Sequence, residues 1–121
     1  MKSAVALTEE IDDLDKAAAE LASTIRASLT FGKARGGCAY CDPEVDVSEL
    51  GKRLPESLGI DIVGLTAIAS LERRSGYHDM GITLAVITGD DVEIAVGGTG
   101  PLDSADFARQ IRAAYADARS R

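Results

Sequence analysis

Residues 38–72 read CAYCDPEVDVSELGKRLPESLGIDIVGLTAIASLE, and this stretch decides the fold. Cys38–Asp42 is a short run of strand-forming residues, closed by Asp42-Pro43. From Asp46 to Leu58, Val47, Leu50, Leu54 and Leu58 recur on one side of a helix, with Ser48 or Asp46 as its cap. Pro55 ends or kinks that helix near Leu54. Ile60–Glu72 is the strongest strand signal in the chain, with Ile60, Ile62, Val63, Leu65, Ile68 and Leu71 falling on both faces. Two strands joined by a helix make a parallel pair with a right-handed crossover.

Upstream, Ala4, Leu7, Ile11, Leu14, Ala18, Leu21, Ile25 and Ser28 alternate spacings of three and four. The spacing predicts a helix from about Thr8 to Leu29, capped by Thr8, with Glu9 and Glu10 in its first turn. Thr30–Gly37 is a glycine-rich break. Downstream, Arg73–Asp79 reads as a polar turn and Gly81–Thr88 as a strand apolar on both faces. Gly89-Asp90-Asp91 is a hairpin turn, and Val92, Ile94 and Val96 alternate with Glu93 and Ala95 as the next strand. A last helix, capped by Asp103 or Ser104, carries Phe107, Ile111, Ala114, Tyr115 and Ala118. The expected fold is α/β, ordered helix-strand-helix-strand-strand-strand-helix. Its mixed four-stranded sheet has one parallel crossover and an antiparallel meander, within a single domain spanning 1–121. Strands apolar on both faces need cover on both.

The 121 residues suit one domain. Aromatics are only 4% of the chain, so the core must be aliphatic. A net charge of -7 argues against nucleic acid and against anionic membrane surfaces. The N-terminal apolar run is too short for a signal peptide, and nothing reaches the length of a membrane span. The cytoplasm is the expected compartment, and two cysteines suit it better than a disulfide framework.

Three segments carry a family resemblance. They are Ile62-Val63-Gly64-Leu65-Thr66-Ala67-Ile68-Ala69-Ser70, Gly76-Tyr77-His78-Asp79-Met80-Gly81, and Leu84-Ala85-Val86-Ile87 followed by Gly89-Asp90-Asp91 and Val92–Gly97. Together with Cys38–Asp42 and the Ser48–Leu58 helix, they resemble the core of the FIST sensory domain over roughly residues 15 to 100. Leu65 stands where that family often has Cys, and Ala67–Ser70 lacks its Gly-Glu pair. The chain is similar to the N-terminal half of such a domain. The resemblance implies a small-ligand sensing role in signalling, with the remaining pocket walls missing or supplied by a second copy.

Cys38 and Cys41 form a C-x-x-C without a second ligand pair. On a strand, residues three apart point to opposite faces, so the pair is read as packing rather than as a metal or redox site. His78, between Tyr77 and Asp79, is read as an exposed turn residue. Gly97-Gly98-Thr99-Gly100 leads to a helix start, but no Lys follows and Asp103 carries the wrong charge for phosphate. Asp42, Glu44, Asp46 and Glu49 gather after the first strand, near the expected end of its parallel neighbour at Ser70 and Glu72. Ligands of open α/β sheets sit beyond the carboxyl ends of such strands. The candidate binding residues are therefore Cys41, Asp42, Glu44, Ser70 and Glu72, with an amino acid or amine as ligand.

No nucleophile, base and orienter converge in the sequence, so neither an enzyme nor a cofactor is expected. The leading expectation is a small-molecule sensing module. The other is a non-catalytic structural or partner-binding subunit. Apolar strands and an open sheet edge lead either to a homodimer or to a protein partner.

Overall fold

In a computed structural model of the chain, which describes residues 1–72, 76–100 and 105–120 (Leu71 and Glu72 by backbone alone), the N-terminal run is extended rather than helical. Lys2–Thr8 forms strand β1, with Ala4, Ala6 and Thr8 buried and Val5 exposed. Period-two burial prevails over the helical spacing of Ala4 and Leu7. The chain then turns: Thr8 Oγ1 accepts from the Glu10 N–H at 3.1 Å, and Glu10 Oε1 accepts from the Asp12 and Asp13 N–H groups at 3.2 and 3.1 Å. Helix α1 (Leu14–Ser28) begins only after this turn. Its cap is Asp13, whose carboxylate accepts from the Lys16 N–H at 3.0 Å, which corrects the expected start at Thr8. Ala17, Ala18, Leu21, Ala22 and Ile25 form its buried face.

Strand β2 (Ala34–Cys41) starts four residues before the expected Cys38 and takes in Gly36 and Gly37. Glycine here admits a close neighbour: a Cβ on Gly36 would stand 2.6 Å from Ile94 Cγ2. Helix α2 (Val47–Leu58) is capped by Asp46, whose carboxylate accepts from the Ser48 and Glu49 N–H groups. It runs through Pro55 to Gly59, whose φ of 64° ends it. Pro55 removes the donor for the Gly51 carbonyl, but Gly51 is exposed and water can serve instead. Strand β3 (Asp61–Thr66) then pairs with β2 in parallel, Cys38 opposite Val63 and Cys41 opposite Thr66.

The expected strand Ile60–Glu72 divides at this point. β2 ends at Cys41, whose carbonyl takes the Ala67 N–H at 2.9 Å, so no partner continues alongside. The chain leaves the sheet and forms a separate hairpin, β4 (Ser70–Glu72) with β5 (Gly76–His78). The Arg73–Ser75 part of the expected turn lies outside the described residues. Strand β6 (Ile82–Gly89) follows, antiparallel to both β1 and β2. Val92–Val96, expected as a strand, joins no ladder among the described residues. The reason is positional: β1 and β2 already occupy both edges of β6. Helix α3 (Phe107–Ser120) ends the chain with no buried residue, and its expected cap at Asp103 or Ser104 lies outside the described residues.

The fold is thus mixed α/β with three helices and a four-stranded sheet ordered β1-β6-β2-β3. One neighbouring pair is parallel and the other two are antiparallel, as the sequence leads one to expect. The inner face carries Ala4, Ala6, Ala39, Cys41, Ile82, Leu84 and Val86 and packs on α1 and α2. Each fully buried Leu or Ile there contributes roughly 1.5–3 kcal/mol. The two helices are also tied to each other: Arg53 pairs with Asp15, and the Arg26 guanidinium donates to the Ser57 carbonyl. Among the described residues, no helix is long and apolar enough to cross a membrane.

Candidate functional site

Three regions of this fold have the geometry to be weighed as a site: the carboxyl ends of the parallel strands, the β3 edge and the outer sheet face. At the strand ends, Cys41, Asp42 and Ser70 line one cleft together with His78. Its volume is about 10 Å³. That is room for a single water. Asp42 is turned into its own loop, where Oδ1 accepts from the Glu44 N–H at 2.8 Å. Glu44 does not line the cleft. Glu72 lies on β4, its backbone opposite Gly76, and its side chain lies outside the described residues. Thr66, not Glu72, ends the parallel strand beside Cys41. The structure therefore brings together three of the five expected residues, in a cleft smaller than an amino acid.

His78 departs from its reading as an exposed turn residue. It sits on β5 with its side chain 14% exposed and Nδ1 3.4 Å from Glu9 Oε1. Ser70 Oγ and Thr83 Oγ1 are 2.9 Å apart, which pins the β4–β5 hairpin over that end of the sheet. Cys38 and Cys41 point to opposite faces of β2, the first half-buried and the second buried. Burial pushes the Cys41 thiol up, and the Asp42 carboxylate beside it adds to the shift. A thiol held protonated is a poor nucleophile. The Tyr40 phenol is also pushed up, by the Cys38 thiol on the same face.

The second region is a groove between α2 and β3, with a volume of about 250 Å³. Leu50, Leu54, Ala39 and Cys41 form its buried floor, and Val47 and Leu65 stand at its rim, 52% and 53% exposed. Lys52 and Arg53 hold the Glu49 carboxyl below its usual range on the same helix.

The third region is the outer face of the sheet. Pairing places Val5, Leu7, Thr83, Ala85, Ile87, Cys38, Tyr40, Val63 and Leu65 on one side, opposite α1 and α2. Ile94 covers Gly36 at one end, and the β4–β5 hairpin covers Thr83 at the other. Between these ends Val5, Tyr40, Val63, Leu65 and Ile87 are 39–53% exposed. The doubly apolar strands signalled a need for cover on both faces, but not that the cover would fall on one.

Compared with protein-family profiles, curated proteins and solved structures, the chain finds no match.

Proposed function

We propose that this chain is a non-catalytic partner-binding module that associates through the outer face of its sheet, with a second copy as the partner. The observation that carries this is the band Val5, Ile87, Tyr40, Val63 and Leu65, large apolar side chains contiguous on one face and left open to water. Exposed apolar residues scattered singly need no explanation, whereas a contiguous band does. Among the described residues of the four strands, Asp61, at one corner, is the only charged side chain that the pairing places on this face between Ser3 and Leu65. Two copies of a chain with net charge -7 can therefore meet here without opposing their carboxylates.

The face measures roughly 20 Å by 20 Å, about 400 Å² per copy. Two copies would bury about 800 Å², less than the ~1,200 Å² of a standard stable interface. The dimer is accordingly weak and concentration-dependent. Small-molecule sensing of the FIST type finds less support. The acidic cleft holds about 10 Å³ and the groove about 250 Å³, against roughly 300–1,000 Å³ for ordinary ligand pockets. Two unpaired thiols suit a reducing compartment such as the cytoplasm.

Sedimentation velocity over a micromolar dilution series tests the proposal. The native chain should sediment faster as concentration rises. The double variant Val5→Lys, Ile87→Lys should stay monomeric with an unchanged circular dichroism spectrum, because both side chains are exposed in the single copy. A native chain that is monomeric throughout the series overturns the proposal.

A further inference from the structure

We propose that the free edge of β3 and the groove beside α2 form a second binding site, one that takes an extended polypeptide segment as a fifth strand. It shares Val63 and Leu65 with the outer-face band but uses the free backbone edge of β3 and the side of the sheet toward α2, and it does not depend on the outer-face contact. Among the described residues, β3 ends the sheet order and pairs with β2 on one side only. The Ala67 N–H to Cys41 carbonyl bond fixes which backbone groups turn inward. In a parallel strand, alternate residues direct both N–H and C=O to the same neighbour. Asp61, Val63 and Leu65 therefore face β2, and Ile62, Gly64 and Thr66 turn their donors and acceptors away from it. Natural edges are blunted by Pro, Lys or bulges. Asp61–Thr66 contains neither Pro nor Lys, and its one charge sits at its first residue. An added strand satisfies such an edge with main-chain hydrogen bonds, and side-chain pockets beside it supply selectivity.

The groove is that pocket. An apolar cavity of about 150 Å³ already accepts a benzene ring, and this one is about 250 Å³. One side chain of Leu, Ile or Phe size on the added strand fits it. A Cβ built on Gly51 meets nothing within 4 Å, so the helix side of the groove is open at that position. The charge of the partner follows from the end of the site. Asp42, Glu44 and Asp46 follow β2 where Thr66 ends β3, and Asp46 caps the helix that carries Val47. The segment that fits is extended, apolar at alternate positions, and basic where it reaches these carboxylates.

The test uses a capped octapeptide of two lysines followed by Val-Thr, Leu-Thr and Val-Thr, which places its lysines at the carboxylates when it runs antiparallel to β3, added to the full chain carrying Val5→Lys and Ile87→Lys. That background removes outer-face association, so the two proposals fail separately. Amide NMR should show shifts centred on Ile62, Gly64 and Thr66, with hydrogen exchange at these three slowed roughly tenfold or more at saturation. Two variants separate binding from folding. Gly51→Leu fills the groove and replaces a helix glycine, so it should raise the melting temperature while weakening the peptide roughly tenfold or more. Thr66→Pro removes an outward N–H without costing a bond to β2, and should also abolish binding. Replacing the two lysines by glutamates should weaken the peptide. Peptide binding unaffected by Gly51→Leu, or absent altogether, overturns the site. So does exchange at the three edge amides that slows with protein concentration alone, which would mean that β3 of a second copy takes the edge.

Discussion

Single residues set the turns and anchors of this fold, and their chemistry gives its pH dependence. Glu10 holds the turn into α1. Its hydrogen bond from Lys16, with those from the Asp13 and Asp12 N–H groups, lowers its pKa from 4.5 to about 2. A depressed carboxyl stabilises the fold above its unfolded pKa and loses that effect as pH falls through the folded value. Stability should therefore decline between pH 4.5 and about 2 in the native chain. In Glu10→Gln that part of the decline should be absent, as followed by acid titration of the circular dichroism signal. Thr88 is a different anchor: buried, it accepts from the Gly32 N–H at 2.8 Å and donates to the Ala34 carbonyl at 2.7 Å. Thr88→Val keeps the shape and leaves both groups without that partner, so urea unfolding should show a loss of about 1–3 kcal/mol. Thr88→Ser should recover most of it. Asp46 as a helix cap was legible in the sequence. Thr88 was not, because a threonine within an apolar strand looks the same whether its hydroxyl is anchored or idle.

At the level of elements, the helical stripe of α2 was legible in the sequence, while the short β1 strand and the end of β3 were not. The α2 stripe and the β2–α2–β3 crossover were legible, since Leu50, Leu54 and Leu58 on one helix side fix its inner face. β1 was hidden because Ala4 and Leu7 satisfy the helical spacing, while the period-two set Ala4, Ala6 and Thr8 that marks the strand is short and made of small side chains. That single omission displaced the rest. Without β1, β6 had a free edge for Val92–Val96, and with β1 in place it has none. The candidate site moved for a similar reason. Ile60–Glu72 carries apolar residues on both faces along its length, but β3 ends at Thr66 because its partner β2 ends at Cys41, which carries Ser70 and Glu72 off into another hairpin. Of the residues that shape the groove, Val47 and Leu65 were read only as part of an apolar helix side and an apolar strand, and Gly51 went unread, although a glycine beside a helical apolar stripe was a visible sign of open space. The two faces of the sheet also differ in energy. Leu84 is fully buried on the inner face and Leu65 is 53% exposed on the outer. Leu84→Ala should cost about 2–5 kcal/mol in urea unfolding, and Leu65→Ala well under that in the monomer.

The whole molecule is a two-layer structure over its main sheet, with α1 and α2 on one side and an uncovered apolar band on the other. Helices pack about 10 Å apart and strands about 4.8 Å, so one helix covers about two strands. Two helices therefore suffice for the inner face of four strands and leave nothing for the outer. α3 adds no cover of its own kind: Phe107, Ile111 and Tyr115 lie in one row on it, each 45–65% exposed. The sequence made the apolar strands legible, but which face the helices choose is decided by connections and register that no single stretch displays. We propose this outer band as an interface between two copies. Its most direct test is the access of a soluble paramagnetic probe to the Val5, Val63, Leu65 and Ile87 methyl groups, measured at low and high protein concentration. These methyls should broaden strongly in dilute protein and be protected in concentrated protein, with Val5→Lys, Ile87→Lys abolishing the protection at the methyls it retains. Broadening that stays equally strong at every concentration would contradict it.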